Sequence, residues 1–245
     1  MIPAVRTRAT RSLGTDRLPE QLQRFRLETD WLGFLPERAA SRGWRVQQSL
    51  KRGFDVVGAL LLLVLFSPLL ALAALLVRLT SPGPVIYAYW ALGHCARPFI
   101  CYKFRTMVDG ADAMKADLLE RNEMQGAPFK LKNDPRITAV GRFLRKFSID
   151  ELPQLWNVVR GDMSLVGPRQ QPVEEITKFE TWQRGKLAVR PGITCLWQVG
   201  GRSEIRDFAT WVALDLHYIE RWNLLLDLKI LLRTVPAVLL ARGAY

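Results

Sequence analysis

The sequence predicts an α+β chain, mostly helical, in which a re-entrant membrane hairpin is joined to a small domain containing a short β-hairpin. Three observations predict it. An uncharged run from Val56 to Val77 is broken at its middle by Ser67-Pro68. Two short segments rich in aromatic residues, Val85–Tyr89 and Phe99–Phe104, read as strands joined by a loop. Most of the chain beyond Phe104 is divided into segments with helical spacing.

Taken in order, residues 1–46 read as a basic, partly disordered N-terminal arm, with some helical periodicity from Leu18 to Trp31. Arg6, Arg8 and Arg11 lie among small polar residues, and no apolar stretch comes after them to make a secretory signal. Residues 47–80 hold the apolar run, longer than the roughly 18 residues that mark a membrane helix. Pro68 lacks an N–H and clashes with the preceding turn, so a bend is expected there. Lys51 and Arg52 precede the run and Arg78 follows it, and basic flanks at both ends favour a dip and return over a kinked span.

Thr80–Pro84 is a turn cluster, and Asp109–Glu123 reads as a polar helix. Asn133-Asp134-Pro135 is a turn before a helix over Ile137–Lys146. The next helix starts at Asp150 and stops at Gly161. Phe208–Arg221 reads as an amphipathic helix. Trp222–Leu240 suits either a membrane interface or a core. Trp182, Trp197, Trp211 and Trp222 suit a headgroup belt or core packing.

Composition narrows the function. A net charge of +12 over 245 residues points to nucleic acid, anionic lipid or phosphorylated substrates. The membrane run argues against nucleic acid. Cys95, Cys101 and Cys195 form no CxxC pair and fit a reducing compartment. His94 and His217 lack zinc spacing, so a hard metal held by carboxylates is the better expectation.

The densest chemistry lies between Arg142 and Arg169. Asp150 and Glu151 are adjacent, with Arg142, Arg145 and Lys146 before them and Arg160, Asp162 and Arg169 after. Ser148-x-x-Glu151 has the form of a capping box. Pro153 fits better if Asp150 is the N-cap, since proline then falls at a position whose N–H is free anyway. That setting keeps Asp150 ionised, as a nucleophile or metal ligand or simply as a cap. Arg160 and Arg169 suit either a phosphate clamp or surface ion pairs. On a strand, Lys103 and Arg105 share one face, which suits two phosphates or a solvated surface.

KFRTM at 103–107, DPRITAVGRFLRKFSIDELPQLWNVVRGDMSLVGPR at 134–169 and RPGITCLWQVGGRS at 190–203 closely resemble the bacterial sugar transferase family. These are monotopic phosphoglycosyl transferases acting on polyprenyl phosphate. KRGFDVVGALLLLVLFSPLLALAALLVRLTSPGPVIY also resembles the family's membrane segment, Ser67-Pro68 included. The resemblance implies transfer of a sugar-1-phosphate from a UDP-sugar to polyprenyl (undecaprenyl) phosphate, with UMP released. This would be the first membrane step of an exopolysaccharide, capsule or O-antigen glycan. It implies that Asp150 forms a covalent phospho-sugar intermediate, that Glu151 helps bind Mg²⁺ together with Asp150, and that Arg145 contacts phosphate. Lys103, Arg105, Arg160, Arg169, Arg190 and Arg202 are the further candidates for phosphate.

By the same resemblance, residues 47–80 are a re-entrant helix-break-helix in the bacterial inner membrane. Residues 81–245 are then a cytoplasmic, membrane-associated catalytic domain with amphipathic interfacial helices. The partners are UDP-sugar, polyprenyl phosphate and the bilayer, with no nucleic acid and a homo-oligomer left open. The variant at 193–203 resembles hexose-transferring members, which points to glucose or galactose on UDP, with N-acetylated sugars open. Three departures stand out. In place of a usual Gln-x-Arg-x-Gly stand Tyr89, Ala91 and Gly93, so the polar pair is lost, Gln170 replaces the last proline of Gly-Pro-Arg-Pro, and Cys195 replaces a glycine. A scaffold or catalytically altered member is the alternative, and the intact Asp150-Glu151 pair argues against it.

Overall fold

The structure is a computed structural model that describes residues 22, 25, 26, 29–201 and 205–240. Most of the periodicity noted over Leu18–Trp31, and the first part of the arm, lie outside the described residues.

Helix α1 (Arg42–Leu65) starts where the Ser41 hydroxyl accepts the Trp44 N–H at 3.1 Å. It therefore begins within the segment expected to be an arm. Helix α2 (Ser67–Thr80) comes at once after it, bent 62° from α1. Pro68 sits in the first turn of α2, and the Ser67 hydroxyl donates to the Val64 carbonyl at 2.8 Å. No single helix among the described residues is long and apolar enough to cross a membrane, whereas the bent pair together meets that measure. Leu60, Leu61, Val64, Leu65, Leu72 and Leu75 are exposed along it.

The N-terminal half of α1 is tied to the rest of the chain. Lys51 Nζ donates to Asp227 Oδ2 at 2.5 Å and to the Val166 carbonyl at 3.0 Å. Asp227 also accepts from Tyr218 Oη at 2.7 Å and Trp222 Nε1 at 3.1 Å. Asp227 is buried, and these donors satisfy its carboxylate. Asp227→Ala is expected to lower stability by about 3–5 kcal/mol, because it strands the Lys51 ammonium. Thermal unfolding in detergent measures this, and a change within about 1 kcal/mol would contradict it.

Strands β1 (Ile86–Leu92) and β2 (Pro98–Phe104) form the expected hairpin, with Tyr89 opposite Cys101. After β2 come α3 (Ala139–Lys146), α4 (Gln154–Arg160) and β3 (Ser164–Val166). Strand β4 (Gln171–Pro172) adds to β1 as a third antiparallel strand. Strand β5 (Gly192–Thr194) pairs with β3 in parallel, and the short α5 (Leu196–Gly200) comes next. Helices α6 (Phe208–Arg221) and α7 (Leu224–Leu239) close the fold. The fold class is α+β and mostly helical.

One expectation changes. Over Asp109–Glu123 the chain forms a 3-10 helix, Ala113–Arg121, in place of an α-helix. Only Leu118 of that stretch is buried, so it has no apolar stripe for a regular helix to pack on. Of the two readings for the tryptophans, core packing holds for Trp197, Trp211 and Trp222, which are buried; Trp197 stacks on Trp211 at 4.1 Å. Helix α7 joins both readings offered for it. Asp227 and Ile230 face the core, while Leu225, Leu228, Leu232, Val235 and Leu239 are exposed along the other side.

Candidate active site

The site is assembled where the end of β2 meets α3 and α4. Past β2, the Thr106 carbonyl accepts the Thr138 N–H at 3.0 Å, and the Thr138 hydroxyl in turn caps α3 by accepting the Gly141 N–H at 2.9 Å. A Cβ on Gly141 would lie 2.0 Å from the Thr106 oxygen, so only glycine admits this approach. One face of α3 is thereby pressed against the strand end, and Arg145 Nε donates to Thr106 Oγ1 at 2.8 Å.

The chain then reverses at Ser148, which has φ 54° in the left-handed region. A 3-10 turn, Ile149–Glu151, comes next, and α4 starts only at Gln154. The expected register, with Asp150 as N-cap of the helix, is thus replaced by a tighter turn with Pro153 as the cap residue of α4. Successive residues of a 3-10 turn point about 120° apart, so Asp150 and Glu151 diverge although both are buried. Helix α4 ends at Gly161, φ 94°, as expected.

Glu151 is held by two cations. Lys103 Nζ lies 3.0 Å from Oε1. Arg169 Nη2 donates to Oε1 at 2.5 Å and Nη1 to Oε2 at 3.3 Å. Burial pushes the Glu151 carboxyl up, but Arg169 and Lys103 outweigh it and hold its pKa well below the usual carboxylate range. The effect on Arg169 is reciprocal: burial disfavours its charge, and Glu151 more than restores it. Asp150 differs. Among the described residues no group donates a hydrogen bond to its carboxylate. Burial first, then the negative charge of Glu151, push its pKa up, opposed by Lys103, Arg145 and Arg169. The expected helix-terminus setting, which would have favoured its charge, is therefore replaced by desolvation.

The two carboxylates carry different chemistry. Glu151 is a fixed anion with part of Oε2 still open. Asp150 is a buried carboxylate, raised in basicity and, among the described residues, without the ion pairs that hold Glu151. Among the described residues no group of three or more His, Cys, Asp or Glu could hold a metal. Mg²⁺ commonly takes one or two carboxylates and completes its shell with water and substrate phosphate oxygens. Asp150 and the open Oε2 lone pair of Glu151 fit that donor set, with no all-protein cage required.

The remaining phosphate candidates are dispersed. Arg105 turns away from Glu151, and Nη2 donates to Ser81 O at 2.7 Å and Ser81 Oγ at 2.8 Å. Strand β2 ends at Phe104, so Arg105 no longer follows the alternation that pairs it with Lys103. Arg160 and Arg190 lie at the opposite end of α4. Arg160 pairs with Asp162 at 3.4 Å, and Arg190 Nε donates to the Gly161 carbonyl at 3.0 Å. Arg202 lies outside the described residues.

Other residues support the site without having stood out in the sequence. Asn157, fully buried, accepts the Tyr102 N–H at 3.2 Å and donates to the Ile100 carbonyl at 2.7 Å, fixing α4 to β2. Arg136 Nη2 and Asp134 Oδ2 form a buried pair at 2.7 Å close to Arg145. The available signals were an amide between the apolar Leu155 and Val158, and an acid and a base flanking Pro135.

The description of the bacterial sugar transferase family fits residues 46–241. The exopolysaccharide production protein ExoY of Sinorhizobium fredii is 44% identical over 199 residues, covering 80% of this chain and 88% of that protein. The galactosyl transferase CpsE of Streptococcus agalactiae is 45% identical over 194 residues, 79% of this chain and 43% of that longer protein. The UDP-glucose:undecaprenyl-phosphate glucose-1-phosphate transferase of Caulobacter vibrioides is 43% identical over 205 residues, 80% of this chain and 72% of that protein. With the match running from α1 through the Asp150-Glu151 turn to α7, the chain belongs to the bacterial sugar transferase family.

Proposed function

We propose that this protein transfers a sugar-1-phosphate from a UDP-sugar to polyprenyl phosphate, releasing UMP, with Asp150 as the nucleophile. The observation that carries this reading is the contrast within one turn: Glu151 is neutralised by Lys103 and Arg169, while Asp150 is buried and has no bonded donor among the described residues. The sugar transfer named for the galactosyl and glucose-1-phosphate relatives supports it.

In the first step an Asp150 oxygen attacks the sugar-bearing phosphorus. A P–O bond forms to the carboxylate, the anhydride P–O bond breaks, and UMP leaves with the electron pair. In the second step a phosphate oxygen of the polyprenyl acceptor attacks the same phosphorus and displaces the Asp150 carboxylate. The product is a polyprenyl diphosphate sugar. Arg145, close to Asp150, stabilises the negative charge that builds on the transferred phosphoryl group. Lys103 and Arg169 fix Glu151 so that it stays ionised and oriented. Asp150 and Glu151 would hold Mg²⁺, which when bound would neutralise the diphosphate.

The bent α1–α2 pair would enter one leaflet and return, leaving residues 81–245 on the cytoplasmic face. The exposed apolar faces of α1, α2 and α7 support this placement. A shallow anchor would hold the turn with Asp150 at the depth of the acceptor phosphate.

Purified protein incubated with polyprenyl phosphate, Mg²⁺ and a panel of UDP-sugars is expected to release UMP with at least one hexose. No release with any sugar would sink the reading. The pH profile has a defined sign. The nucleophile must be ionised, and its pKa is raised, so kcat/KM is expected to fall on acidification at a pH above the roughly 3.9 of an unperturbed aspartate. An acid limb at or below that value would contradict the role of Asp150.

A further inference from the structure

Tyr89 and Gln170, far apart in the chain, meet in the structure. Gln170 Nε2 donates to Tyr89 Oη at 3.3 Å, and it also approaches Gln154 Oε1 at 3.5 Å. The Tyr89 hydroxyl also contacts the Cys101 thiol, across the β1–β2 pairing. Gln154 and Gln170 are buried, at 0% and 4% exposure. Gln154 Nε2 and Gln170 Oε1 have no hydrogen-bond partner among the described residues. A buried amide left half-satisfied is retained at a cost of about 1–3 kcal/mol, so this group is not neutral packing.

Its location suggests what it does. Tyr89 lies near both cations that hold Glu151. The Lys103 ammonium is 5.9 Å from its ring centroid, and Arg169 immediately precedes Gln170 in the chain. Gln154 is three residues after Glu151, on the adjoining turn of chain. Tyr89, Gln154 and Gln170 thus join β1, α4 and the loop leading into β4 at the point where Lys103, Glu151 and Arg169 converge.

We propose that Tyr89 and Gln170 are positioning residues that act as one unit, holding Lys103 and Arg169 in register with Glu151. The two side chains share a hydrogen bond, so a change at one is felt through the other. The kinetic part of this inference rests on the transfer reading above.

Four full-length proteins test it: the parent, Tyr89→Phe, Gln170→Leu and the double variant. Four quantities are measured: kcat and KM for UMP release, the melting temperature, and the rate at which an amine-reactive ester acylates Lys103, followed by mass spectrometry. Each single variant is expected to lose about tenfold in kcat, with KM within about twofold. The double variant is expected to fall no further than either single, because both remove the same interaction. Lys103 acylation is expected to rise about fivefold in all three variants, as its contact with Glu151 loosens and the amine becomes more accessible to the ester.

Unchanged kcat together with unchanged acylation of Lys103 would overturn the proposal. So would losses that multiply in the double variant, which would mean two independent effects. A lower melting temperature with kcat and acylation unchanged would assign the pair a structural role only, and would also overturn it. If the parent releases no UMP with any sugar, the transfer reading fails by itself, and the acylation rates still decide whether Tyr89 and Gln170 position Lys103.

Discussion

Asp150→Asn is expected to reduce UMP release by a factor on the order of 10⁴ or more, while the protein stays folded. Asparagine matches the shape of the carboxylate but cannot attack phosphorus as an anion. The stability effect should have the opposite sign to the activity effect. Asp150 has a raised pKa in the folded chain, chiefly through burial and then through Glu151. A carboxyl raised on folding is less stable as its ion, so above the folded pKa the charged Asp150 destabilises the protein. Asparagine removes that burden, and the melting temperature at neutral pH should hold or rise. A variant that keeps its activity would remove Asp150 from the nucleophile role. One that loses activity and unfolds together would show that Asp150 is needed for folding.

Arg169→Ala is the second large effect expected. It removes the forked partner of Glu151 and leaves a buried carboxylate with Lys103 alone. It also removes the guanidinium that lies 6.0 Å from the Trp197 ring centroid. Breaking one partner of a buried pair costs about 3–5 kcal/mol, which is a large share of the stability of a domain this size. Arg169→Lys should recover little, because an ammonium cannot bond both carboxylate oxygens as the guanidinium fork does. Combining Arg169→Met with Glu151→Gln should recover most of the stability and none of the activity, since the stranded charge is gone but the oriented anion is gone too. Denaturant unfolding and UMP release, measured on the same samples, separate these outcomes. Full activity in Arg169→Ala would contradict the function assigned to the bridge.

The hairpin of β1 and β2, the break at Ser67-Pro68, the helix over 139–146 and the stop at Gly161 were legible because each rests on local chemistry. So was the gathering of Arg145, Asp150, Glu151 and Arg169, which lie close together in the chain; Lys103 reaches Glu151 from β2, 42 residues before Arg145. Arg105 shows where local rules stop. Two residues beyond Lys103 it should share a face, but the strand ends between them and Ser81 captures the guanidinium. Arg160 and Arg190 carry the same charge as Arg169, and only the length of α4 separates them from Asp150.

Buried polarity was the least legible feature. Asn157, Gln154, Gln170 and Asp227 are polar residues that a periodicity argument assigns to the surface, yet each is buried. Their partners come from distant parts of the chain, as with Lys51 and Asp227 or Asn157 and Ile100. The turn at Ser148 was hidden for a similar reason. A left-handed serine cannot be told from a capping serine in Ser148-x-x-Glu151, and only the packing of α3 against Thr106 decides between them.

The covalent role of Asp150 is tested most directly by intact-mass and peptide mass spectrometry of the protein mixed with its UDP-sugar and Mg²⁺, with acceptor omitted. A sugar-phosphate adduct should form on the peptide containing Asp150, be discharged when polyprenyl phosphate is added, and be missing from Asp150→Asn. An adduct that persists in Asp150→Asn, or UMP release with acceptor present but no adduct in its absence, would contradict it.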